Sequence, residues 1–187
     1  MRAYFFVAIT FLIPSIAMSS EPQEKTISTP DGAISMATKT VEPFPQQITL
    51  ASHAEVARFN AHAAKGASFV SAYLPNIKDV KEPTLKDFDE AFYLWQREKK
   101  QRYSSQQVVE ILGSCLGKKL IKDLDMEWVL VNDEYGTDYA VRAKKNETMS
   151  FPFSSVLKRI ESNEHDFMVG VYHAVRSIMN ESDVKSR

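Results

Sequence analysis

Gly113-Ser114-Cys115-Leu116-Gly117 has the spacing of a nucleophile elbow with cysteine at the serine position. That motif works only where a strand delivers the nucleophile to a sharp turn and a helix leaves it, at the top of a parallel sheet. Here a run of helical period leads into the motif and no parallel sheet is available. Cys115 therefore reads as a packed small residue between helix glycines. A second group is acidic: Asp133, Glu134 and Asp138 place three carboxylates around one turn beside Asn132. Oxygen-rich loops hold Ca2+, but the EF-hand alternates its ligands and closes with a distant Glu, a spacing this turn lacks. Asp and Asn favour turns through local hydrogen bonds, so a structural role leads. The alternative is a hydrolase or ligand-binding module acting on envelope material through Asp133, Glu134 or Asp138. It would need two carboxyls with separated pKa values.

His53, His62, His165 and His173 include no pair three or four residues apart, so no two of them meet on one helix face as metal ligands. His165-Asp166 reads as a helix cap. No metal and no cofactor is expected, and no phosphate loop, dinucleotide fingerprint or Ser-His-Asp order is present. Asn146-Glu147-Thr148 and Asn180-Glu181-Ser182 match the glycosylation acceptor, a pattern frequent by chance and discounted here. What is left is a surface. Tyr135 sits among the hairpin acids, and Lys158-Arg159 lies on a following helix. Aromatic residues beside charges suit a protein contact, so Asp133, Glu134, Tyr135, Asp138, Lys158 and Arg159 form the candidate binding set.

These residues are positioned by elements that the spacing predicts. Val56, Phe59, Ala63, Ala67, Val70 and Leu74 recur at helical steps and end before Pro75, giving one helix within residues 49–75. Thr84 caps a second helix, answered three residues on by Asp87, with Leu85, Phe88, Phe92 and Trp95 as its buried face. A third helix starts at Ser104 or Ser105 and carries Val108, Ile111, Leu112, Cys115 and Leu116. Gly113 and Gly117 lie on one side of it and would let another backbone approach closely. The period then changes to two. Trp128 to Asp133 and Tyr139 to Ala143 flank a turn in which Gly136 takes a positive φ, a β-hairpin signal. A third short strand falls around Met149-Ser150-Phe151. Pro152 opens a helix through Val156, Leu157 and Ile160, and a last helix runs from about Glu164. The expected fold is α+β: a three-stranded antiparallel meander on several helices, with Trp128 facing them.

The bulk numbers bound the function. The 187 residues suit one domain of ordinary size, and 44% hydrophobic residues supply a core. A net charge of −1 gives no global pull toward nucleic acid or an anionic membrane. The N-terminus is a different matter. Arg2 precedes the apolar run Phe5 to Ile13, Pro14 breaks it, and Ser15-Ile16-Ala17 and Ala17-Met18-Ser19 both fit a small-x-small cleavage site. The run is shorter than the ~20 apolar residues a bilayer demands, so a cleavable signal over 1–19 and a periplasmic or secreted mature chain are expected. No cysteine near the cut means no lipid anchor. Cys115 is the only cysteine, so no internal disulfide forms and the thiol should be buried.

From about Phe88 to Met179 the chain resembles a family of small bacterial domains of unknown function. The resemblance is carried by Leu112-Gly113 and Leu116-Gly117, by Trp128 with Asp133-Glu134-Tyr135-Gly136-Thr137-Asp138, and by Phe151-Pro152 with Val156-Leu157-Lys158-Arg159-Ile160-Glu161. It implies a bacterial origin and an α+β fold, and carries over no catalytic residue. The organisation expected is a signal over 1–19, a flexible or extended leader over 20–48, and one domain over 49–180. Within that domain 84–180 is the family-like core, and 181–187 is a flexible tail. The expected function is an exported, non-enzymatic module that binds another protein of the cell envelope, as an accessory or immunity-type factor.

Overall fold

The computed structural model describes residues 24–29, 32–37, 45–77 and 82–185. Strands β1 (Glu24–Thr29) and β2 (Gly32–Ala37) pair antiparallel with Thr29 opposite Gly32, in a unit separate from residues 44–187. The segment expected as a leader thus contains paired strands. The expected signal over 1–19 lies outside the described residues.

The second unit begins with β3 (Gln47–Leu50), a strand absent from the expected meander. It pairs with β4 (Met126–Asp133), which pairs with β5 (Gly136–Ala143), which pairs with β6 (Met149–Ser150). The sheet therefore has four antiparallel strands in the order β3-β4-β5-β6, not three. In this register Trp128 and Val141 share one face, and Val129 and Ala140 the other. The first face packs on the helices, as expected of Trp128. On the second, Val129, Val131 and Ala140 gather with Ile48, Met149 and Phe151 in a smaller cluster.

The helix expected over 49–75 is two. Helix α1 (His53–Ala63) starts at a Ser52–Glu55 capping box, and α2 (Gly66–Tyr73) follows a break at Ala64-Lys65. The break lets α1 pack on α4 while α2 packs on α3. Gly66 sits at the join, where a Cβ would come within 2.6 Å of the Cys115 sulfur. Helix α3 (Leu85–Arg97) opens on the Thr84–Asp87 box that the spacing predicts, and it buries Phe88, Phe92 and Trp95. The Trp95 indole N–H donates to the Tyr103 carbonyl at 2.9 Å, so this buried ring keeps its hydrogen bond.

Helix α4 (Ser105–Leu124) is the central element, and the supposed elbow lies in its interior. At Gly117 a Cβ would stand 2.2 Å from the Trp128 ring; at Gly113 it would stand 2.5 Å from Phe153. The two glycines are slots for these rings, which stack on one another at 5.5 Å with Phe59 tilted against both. The close approach expected of a backbone is made by side chains, with only the Phe153 Cα at Gly113, at 3.1 Å, coming from the main chain. Pro152 is buried at the start of α5 (Pro152–Ser162).

The last helix, α6, spans Met168–Lys185, starting later than expected and running through most of the segment expected as a tail. His165-Asp166 does not cap it: Asp166 is left-handed at φ 58. The cap comes from another helix. Asp89 of α3, only 3% exposed, accepts the N–H groups of Phe167, Met168 and Val169 at 3.1, 2.9 and 3.2 Å. These are donors that the first turn leaves without intrahelical partners, and the helix dipole favours a negative charge there. Burial pushes the Asp89 carboxyl above its usual range, and the three N–H bonds pull it back.

Candidate ligand-binding cleft

A cleft of about 450 Å³ opens where α1, α4, α5 and the start of β5 meet. Its apolar lining comes from Phe59 of α1, Val109 of α4, and Phe153 and Leu157 of α5; its polar lining includes Arg58, His62, Glu110, Ser114, Asp138 and Tyr139. Helical spacing explains the α4 wall, since Gln106, Glu110 and Ser114 recur every four residues on one side. The slot at Gly113 draws Phe153 inward and so sets the opposite wall.

Each charged group has a defined setting. Glu55 accepts the Tyr139 hydroxyl in a short hydrogen bond. That bond, with further help from Ser52, holds its carboxyl down at about 2. The same contact pushes the Tyr139 phenol up. The Arg58 guanidinium lies 5.3 Å from the Phe59 ring centre and 5.7 Å from that of Tyr139, a cation–π seat. Glu110 accepts from Gln106 at 3.2 Å and lies 3.3 Å from His62. Asp138 accepts the Ser154 hydroxyl and the Tyr139 N–H. The Ser114 hydroxyl is the exception. Ser114 is one of the lining residues, only 1% exposed, and its hydroxyl is buried with no hydrogen-bond partner. A buried hydroxyl normally has one.

The candidates read from sequence disperse. Asp138 lies in the cleft. Asp133 serves its own turn, accepting the Tyr135 N–H at 2.9 Å and the Gln46 amide at 3.5 Å. Tyr135 is 91% exposed at the hairpin tip, its phenol pushed up by the adjoining Glu134. Gly136 has the expected positive φ, at +119°. Arg159 pairs with Glu164 at 3.3 Å and lies over Phe167, so its charge is engaged away from the hairpin. Lys158 is exposed on α5. Cys115 is buried as expected; burial pushes its thiol up to about 12, and its S–H points to the Ala63 carbonyl at 3.6 Å. Such a thiol is no nucleophile at neutral pH. Among the described residues no group of three or more His, Cys, Asp or Glu could hold a metal ion.

Sequence reading missed Glu55, Arg58, His62, Glu110 and Tyr139 as a group, because α1, α4 and β5 meet only in the folded chain. One local signal existed for Ser114. It is a polar residue inside the apolar stripe of α4, flanked by glycine and cysteine.

Residues 89–172 match the family described as a domain of unknown function (DUF3806). The match spans α4, the β4–β5 hairpin and α5, and leaves the α1 wall of the cleft outside it. A crystal structure of a protein from Bacteroides thetaiotaomicron shares the fold at a TM-score of 0.51 with 14% identity. The alignment covers 74% of this chain and 50% of the other, so this chain spans about half that protein's length. No curated protein matches. No helix among the described residues is long and apolar enough to cross a membrane.

Proposed function

We propose that the chain is an exported envelope protein that works by binding another protein, as an accessory or immunity-type factor, and that the cleft is its contact site. The observation that carries this reading is the cleft itself: an apolar floor of aromatic rings under a charged rim, with the unpartnered Ser114 hydroxyl in its lining. Binding sites combine apolar surface with a few placed polar groups in this way. The Cys115 thiol, buried and pushed up, supports binding over covalent chemistry. The alternative of an envelope hydrolase or ligand-binding module keeps its ligand-binding half, since Asp138 is the hairpin carboxylate in the cleft.

Two measurements test this reading. N-terminal sequencing of the mature protein should begin after Ala17 or Ser19, and a chain retained whole in the cytoplasm removes the export half. Affinity capture from periplasm should recover a specific protein on the wild type and lose it on Leu157→Trp, which lays an indole over the cleft mouth. Equal capture by both would move the contact elsewhere.

A further inference from the structure

The rim of the cleft is unbalanced in charge. Among the lining residues Glu110 and Asp138 are the two carboxylates, against Arg58 as the one permanent cation. Arg58 is already seated against the Phe59 and Tyr139 rings. The rim carboxylates also have capacity to spare. Glu110 accepts from Gln106 and lies 3.3 Å from His62, and Asp138 accepts from two groups, whereas an ionised carboxylate offers about four lone-pair sites. Below them the Ser114 hydroxyl is buried without a partner, four residues and so one helical turn from Glu110.

Resting on the reading of the cleft as a protein contact, we infer that its occupant is an arginine side chain presented by the partner. The alkyl stem of arginine suits the apolar floor, and its planar guanidinium stacks on rings such as Phe153. Its five N–H donors match the acceptors that the cleft leaves under-used: Glu110, Asp138 and the Ser114 oxygen. An acidic side chain would meet net negative charge on the rim. A neutral apolar one would leave the serine hydroxyl sealed and unpaired.

Two-dimensional NMR of the isotope-labelled chain, titrated with small blocked probes, tests the inference. N-acetyl-arginine amide should shift the amides of Val109, Glu110, Ser114 and Tyr139 in a saturable, salt-sensitive way. The norleucine and glutamate analogues should bind more weakly. Glu110→Gln and Asp138→Asn should each weaken the arginine probe by about 1.5- to fivefold, the range for one partly screened ion pair. Ser114→Ala should also weaken it, with thermal stability unchanged or raised, because the free protein loses only an unpaired hydroxyl. Arg58→Gln should strengthen it by removing the competing cation.

Norleucine or glutamate binding as tightly as arginine would overturn the inference while leaving the cleft a contact site. So would arginine binding that neither carboxylate substitution moves. If no probe of any charge shifts the cleft amides, the contact reading falls with it.

Discussion

Replacing Asp89 is the sharpest test of how the second unit is held together. Its carboxylate is the N-terminal cap of α6 yet belongs to α3, and it accepts three backbone N–H bonds of 2.9 to 3.2 Å in the buried interior. Asp89→Ala removes the acceptor and leaves those donors facing a cavity. Hydrogen bonds to a charged group contribute about 1.5–3 kcal/mol each, but three sharing one carboxylate do not add. A lost cap costs up to about 2 kcal/mol and buried unpaired donors about 1–3 more, so the total is about 3–5 kcal/mol. Against the ~5–15 kcal/mol by which domains are stable, the alanine variant would be marginal. Asp89→Asn keeps one acceptor oxygen but turns an NH2 toward the donors, and should cost about 1–3 kcal/mol. Urea unfolding followed by fluorescence of the buried Trp95 and Trp128 reads both variants, and amide exchange at residues 167–169 localises the loss. An alanine variant within about 1 kcal/mol of wild type would refute the capping role. So would an asparagine variant less stable than the alanine one.

Gly136→Val should destabilise by about 1–3 kcal/mol in a thermal melt, wholly through backbone strain at φ +119°, because no atom lies within 4 Å of the added Cβ. Asp138→Asn should melt closer to wild type, since asparagine can still accept from Ser154. Gly117→Ala should destabilise by about 1–3 kcal/mol despite alanine's better helix propensity, because its methyl would stand 2.2 Å from the Trp128 ring; a stabilised variant would show the slot to be slack. The Glu55 carboxyl is held at about 2 in the folded chain against an ordinary value of 4.5. Its contribution to stability is therefore complete above about pH 4.5 and is lost as pH falls toward 2. The gap in melting temperature between wild type and Glu55→Gln should narrow over that window.

Where local chemistry decides structure, the sequence was informative. The Thr84–Asp87 box, the change of period at Trp128 and the glycine at the hairpin turn each act within a few residues, and each is found in place. Strand β3 was invisible for the opposite reason. Its four residues alternate, Gln-Ile-Thr-Leu, but the run is too short to stand out, Leu50 is 68% exposed, and its pairing partners Val129 to Asn132 lie about eighty residues away. The cleft is non-local in the same sense: of its lining only Asp138 stood in the candidate binding set, grouped there with hairpin residues that lie elsewhere. Asp89 left one trace. Phe167, directly before α6, cannot cap a helix, which signals that the cap must come from elsewhere.

The Asp89 bond also acts as a check on completeness. A chain made or translocated from its N-terminus presents α3 long before residues 167–169 exist. Until they arrive, the Asp89 charge has no donors, and burying it bare is costly. The seat between α3 and α6 can close only when the C-terminal helix has been delivered. A product cut short before Phe167 leaves Asp89 on α3 without its three donors, and water must then satisfy the carboxylate.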